Sequence, residues 1–137
     1  MYEKSLLDDV DAMTAVEAML AAAPGRTDKP LAVAVVDEYG DLMGFARMDR
    51  ATPFACQYAI KKAYTAARMR SDLRALGASL SAQGRSVAEF ADPNLVSSQG
   101  GGLVILHQGA VLGGIGASGG SPEEDELVAQ AGLRALG

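Results

Sequence analysis

The sequence predicts an α+β domain in which one mostly antiparallel sheet is flanked by helices. Three observations predict it. Two pairs of apolar runs, 31–37 with 41–49 and 103–107 with 110–117, are joined by connections too short for anything but hairpins. Segments before, between and after these pairs repeat apolar residues at helical spacing. Alanine and glycine together supply 41 of the 137 residues, so the layers must pack with little side chain between them. A chain of 137 residues suits one domain, 1–137, whose buried surface needs no help from disulfides or metals.

The elements follow in order. Residues 5–23 place Leu6, Val10, Met13, Val16 and Leu20 on one helical stripe, with Ser5 as a cap and Asp8 and Asp9 at the positive end. Glu17 falls inside that stripe by angle, so it either edges a contact or faces a polar cavity. Pro24-Gly25 ends the helix, and 24–30 is a polar connector. Residues 31–37, LAVAVVD, are apolar on both faces, as a covered central strand is. Asp37 to Gly40 supply a turn, and Gly44 thins the second strand where a neighbour packs closely.

Thr52 and Pro53 start a second helix that runs to about residue 70. Its stripe of Ala55, Ala59, Ala63 and Ala66 fits close contact with a sheet or with another subunit. Lys62 lies within that stripe, where it must snorkel, pair with an acid or meet an anionic ligand. Residues 72–91 give two short helices or turns, broken at Gly77 and Gly84. Beyond a flexible loop at Gly100–Gly102, the second hairpin turns at Gln108-Gly109 within a section of two or three strands. Ser121-Pro122-Glu123-Glu124 is a capping box that opens a last helix over about 122–136, with Leu127, Val128 and Ala131 inward.

Composition narrows the function classes. The formal charge is −5 and the pI about 4.7, with no Trp, four Tyr and three Phe, which argues against nucleic-acid binding. The charge is uneven: residues 47–85 hold eight bases and two acids. That segment reads either as a surface for an anionic ligand or as a solvated helix face paired with acidic neighbours. Cys56 is the single cysteine, so no internal disulfide forms. The acidic N-terminus does not read as a signal peptide, and no run reaches 18 apolar residues, so the expectation is a cytoplasmic protein with no membrane partner.

Several motifs lead nowhere. Gly114-Ile-Gly-Ala-Ser-Gly119 matches GxGxxG, but a dinucleotide site needs a second parallel strand beyond the helix, and Gly137 follows that helix directly. The glycine turn could hold an anion at the helix N-terminus, but Glu123, Glu124, Asp125 and Glu126 already occupy that positive end. His107, the only histidine, falls in the hairpin turn and cannot build a zinc site alone. Cys56 reads as a small buried residue, with no base in evidence to activate it. No metal site is expected.

Four blocks of sequence carry a family resemblance. They are Val33–Gly40 with Phe45-Ala-Arg47-Met-Asp49; Lys62-Ala-Tyr-Thr65-Ala-Ala67; Gly100-Gly-Gly-Leu-Val-Ile105; and Gly109–Gly120, followed by Asp125 and Ala131-Gly132. Together they resemble the haem-binding family that includes HbpS, GlcG and the C-terminal domain of the PduO adenosyltransferases. The resemblance implies a five-stranded antiparallel sheet, in the order α-β-β-α-α-β-β-β-α, and assembly into homo-oligomers. It also implies a haem or related tetrapyrrole ligand. The chain departs from the family pattern at Arg50, at Leu103-Val104 and in having no histidine in the first helix, which leaves the iron Tyr, Thr, Met or Lys as a ligand.

Two functions are consistent with these residues. In the first, the chain is an oligomeric binding protein for haem or another small anionic ligand. Arg47, Lys62 and Thr65 would meet the ligand, and Gly101, Gly102 and Gly119 would admit it close to the backbone. In the second, the chain is a small-molecule enzyme or accessory of organic-acid catabolism, with Glu17 as general base and Lys62 or Arg47 holding a carboxylate. A third reading, a ligand-free assembly module, would use the alanine stripe as its interface.

Overall fold

In a computed structural model that describes residues 1–137, the chain forms α1 (Asp9–Ala22), β1 (Ala32–Asp37), β2 (Leu42–Arg47), α2 (Pro53–Met69), α3 (Leu73–Ala82), β3 (Gly102–His107), β4 (Ala110–Ser118) and α4 (Pro122–Ala135). Short 3-10 turns at Ala23–Gly25 and Val87–Phe90 fill two of the connections. The strands form one antiparallel sheet in the order β2-β1-β4-β3. β1 is central and apolar on both faces, as its sequence predicts. No helix is long and apolar enough to cross a membrane.

Turn chemistry sets both hairpins. Asp37 Oδ1 accepts from the N–H groups of Tyr39 and Asp41, which closes the β1–β2 turn. Gln108 and Gly109 both have positive φ, 50° and 81°, the primed turn that matches strand twist. His107 and Ala110 form the pair that closes this second hairpin.

Helices cover both faces. Ala32, Ala34 and Val36 meet Ala59, Ala63 and Ala67 of α2 on one face. Val33, Val35, Ile115 and Ala117 meet α1 and α4 on the other. The alanine stripe is therefore taken up by the sheet rather than left for another subunit. The fit is close: a Cβ on Gly116 would collide with the Ala59 carbonyl oxygen, and one on Gly114 with that of Ala63. The many alanines and glycines thus set the distance between helix and sheet.

Four expectations are corrected. The sheet has four strands, not five, and the order is α-β-β-α-α-β-β-α. β4 runs unbroken for nine residues, and 92–100 pairs with no strand, so no third strand arises in the second half. The first helix starts at Asp9 with Asp8 as its cap, accepting from the Asp11 N–H, not at Ser5. Its inward face is Ala12, Ala15, Val16 and Met19, while Val10 and Met13 are exposed. The last helix likewise buries Val128, Ala129 and Gly132 and exposes Leu127. Small residues win because α1 and α4 pack directly on each other: a Cβ on Gly132 would lie 2.7 Å from Met19 Cγ.

Candidate functional site

Two places in the fold concentrate chemistry, at opposite ends of β3. The first is the Gly102 end. Lys62 on α2 is only 3% exposed. Its ammonium donates to the Ala117 carbonyl oxygen at 2.9 Å and to Asp125 Oδ2 at 3.0 Å. The Tyr58 ring lies 5.5 Å from Lys62 Nζ. Asp125 Oδ1 accepts from the Gly120 N–H at 2.9 Å. Gly101, with φ of 91°, passes over this pair; a Cβ there would lie 2.7 Å from both Lys62 Nζ and Asp125 Cβ. Burial works against both charges, pulling the Lys62 ammonium below its ordinary value and pushing the Asp125 carboxyl above its own, while each partner's charge opposes the shift.

Lys62, Gly101 and Gly102 are thus brought together, as the sequence suggests, but around an internal anion. Asp125 fills the position expected for a ligand carboxylate. Thr65 is fully buried; its hydroxyl donates to the Lys61 carbonyl and accepts from the Val96 N–H at 2.9 Å, pinning the 92–98 segment to α2. Gly119 packs beneath Pro30, where a Cβ would lie 2.5 Å from that carbonyl oxygen. Arg47, at the end of edge strand β2, is exposed, and its side chain forms no ion pair or hydrogen bond. Glu17 is exposed on α1, across the sheet from Lys62 on α2, so it does not join Lys62 as the base of one site. Its place inside the apolar stripe was a consequence of the misphased face of α1.

The second place is the His107 end. A cavity of about 560 Å³ opens between the N-terminal segment, the β3–β4 hairpin and the end of α4. Its walls are Leu6, Leu7, Ile105, Leu112, Leu133 and Leu136. Ser5, Asp11 and Asp72 supply oxygen atoms around it, and His107 stands at the hairpin edge. Asp72 Oδ1 is already occupied, accepting from the Val104 N–H at 2.9 Å. No lysine, arginine, tyrosine, threonine or methionine lines this cavity. Leu6 and Leu106 at its rim are 65% and 55% exposed, far more than apolar side chains of a closed core.

Sequence reasoning missed the surroundings of two residues. Asp125 read as one of four acids at a helix N-terminus; only its i, i+5 relation to Gly120 in the fourth block hinted otherwise. His107 read as a turn residue; Leu133 and Leu136, which line the same cavity, are distant in sequence.

The comparisons with known proteins agree on one family. The HbpS-like family, described as haem degrading protein HbpS-like, matches residues 7–134. The corrinoid adenosyltransferase PduO of Salmonella typhimurium is 34% identical over 113 residues, 78% of this chain and 32% of PduO, so this chain spans about a third of that relative. The crystal structure of HbpS superposes with a TM-score of 0.88 at 29% identity, covering 100% of this chain and 94% of HbpS. The crystal structure of a PduOC–haem complex gives 0.85 at 28% identity, covering 96% and 95%. With a family match over residues 7–134 and a curated relative 34% identical over 78% of its length, this chain belongs to the HbpS-like family.

Proposed function

We propose that this protein binds haem, or a closely related tetrapyrrole, in the apolar cavity between the N-terminal segment, the β3–β4 hairpin and the end of α4. The cavity itself carries the reading. At about 560 Å³ it lies in the usual range of cofactor sites, and leucine and isoleucine walls stand beside Ser5, Asp11, Asp72 and His107. A flat macrocycle needs such walls. The cavity's carboxylates, with no cation beside them, direct the ligand's acidic groups outward to water. Bound haem would supply a redox-active iron held in apolar surroundings. The PduOC–haem complex and the name of the matching family support the choice of ligand.

The protein acts as a homo-oligomer in the cytoplasm on this reading. Val10 and Met13, 67% and 44% exposed on the outer face of α1, support a covered surface in the assembly. Arg47 stays available to an anionic group at the β2 edge. A hemin titration followed by absorbance tests the proposal. The expected result is a saturable Soret shift with one haem per chain. Absence of any saturable change at micromolar protein would end it.

A further inference from the structure

We infer that copies of this chain associate head to tail, the outer face of α1 on one copy docking against the outer face of α2 and β2 on the next. The inference rests on the homo-oligomer reading above, and it is independent of the ligand. Two apolar faces are left uncovered by the fold, and they carry opposite charge.

The α1 face is acidic. Because Ala12, Ala15, Val16 and Met19 point inward, Val10, Met13 and Glu17 fall on one outer stripe at i, i+3 and i+7. Asp8, Asp9 and Asp11 flank its start, and α1 contains no basic residue. Asp9, Asp11 and Glu17 form no ion pair within the fold.

The second face is basic. α2 packs across β4, β1 and β3 and barely touches edge strand β2. Its inward alanines turn Phe54, Lys61 and Arg68 outward, one every seven residues. Phe54 is 69% exposed, with the Tyr58 ring 5.0 Å away as its aromatic neighbour. Phe45, Cys56 and Ile60 are only partly buried. Leu42 and Arg47 pair with Val36 and Ala32, so they share this side of the sheet. Arg47, Lys61 and Arg68 form no ion pair either.

Charge decides both the partner and the symmetry. A two-fold contact would set one of these faces against itself, acid on acid or base on base, which costs affinity. A head-to-tail contact sets Asp9 and Glu17 against Lys61 and Arg68 and covers both apolar faces at once. The two helices lie on opposite sides of the sheet, so one copy engages two neighbours without overlap.

Mixing two variants tests the arrangement, with mass read by light scattering on a sizing column. Val10→Lys with Glu17→Lys disables the α1 face; Phe54→Asn with Lys61→Gln disables the α2 face. All four side chains are exposed or half-buried, and thermal melts check that both variants stay folded. Wild type should be an oligomer and each variant alone a monomer. The equimolar mixture should form a dimer of twice the monomer mass and nothing larger, because each variant keeps one intact face. Wild type that stays monomeric would overturn the homo-oligomer reading and this inference with it. An oligomeric wild type whose variants still associate alone, or whose mixture stays monomeric, would overturn the head-to-tail contact and leave that reading intact.

Discussion

The two ends of β3 use the same short strand for opposite purposes. Gly102 and His107 lie roughly 16 Å apart at about 3.3 Å per residue. At the Gly102 end every polar group is matched: Lys62 with Asp125 and Ala117, Asp125 with Gly120, Thr65 with Val96. At the His107 end Leu6 and Leu106 stay exposed and the imidazole makes no hydrogen bond, while Leu7, Ile105, Leu112, Leu133 and Leu136 join the core. A cation among alanines looks like a binding site in sequence, and here it pairs with a buried aspartate. The closed end secures the fold, and the open end is where we propose that the ligand sits.

Breaking the closed end should cost the most stability. Lys62→Ala or Asp125→Ala leaves a buried charge alone, so each should lower unfolding free energy by about 3–5 kcal/mol in urea titrations. The double replacement Lys62→Met with Asp125→Leu should recover most of that loss, because the desolvation cost leaves with both charges. Equal destabilisation in the double variant would show that the pair is more than self-compensating.

The glycine–alanine contact comes next. Gly116→Ala places a methyl group against the Ala59 carbonyl, so α2 must shift off the sheet. A loss of about 1–3 kcal/mol is expected. The α4 cap is smaller. Ser121 accepts from the Glu124 N–H and Glu124 Oε1 from the Ser121 N–H. Ser121→Ala should cost about 1 kcal/mol, read as a fall in Tm.

Acid should act on the same cap and on one loop. The Ser121 N–H holds the Glu124 carboxyl below its ordinary value, and the Tyr64 hydroxyl does the same for Asp92. Both groups are more acidic folded than unfolded, so their stabilisation is present above the ordinary carboxylate range. It is lost as pH falls through the lowered folded values. Carboxyl NMR titration should find both below the exposed aspartates and glutamates. The smallest effect on stability belongs to the open end: His107→Gly, at an exposed position, should change it by no more than about 0.5 kcal/mol.

Much of this was legible in sequence, for reasons that separate cleanly. Thr52-Pro53 and Ser121-Pro122 announce helix starts because capping is local chemistry, and both helices begin there. Gln108-Gly109 announces its turn for the same reason. The inward faces of α1 and α4 were misread because Ala12, Ala15, Ala129 and Gly132 carry little hydrophobic signal, yet helix-to-helix contact demands small residues. The convergence of Lys62 with the glycine loop is legible, and so is pairing with an acid as one option; that the acid is Asp125, 63 residues away, is not. His107 could not be placed beside Leu133 and Leu136 without the fold.

The most direct test of the account is where hemin sits. Amide spectra of isotope-labelled protein, recorded with and without ferric hemin, report this through paramagnetic broadening. The account predicts broadening at Leu6, Leu7, Leu106 to Leu112 and Leu133 to Gly137, with Lys62, Gly100 to Gly102 and Gly120 left sharp. Broadening centred on Lys62 and the glycine loop, with the His107 hairpin untouched, would contradict it.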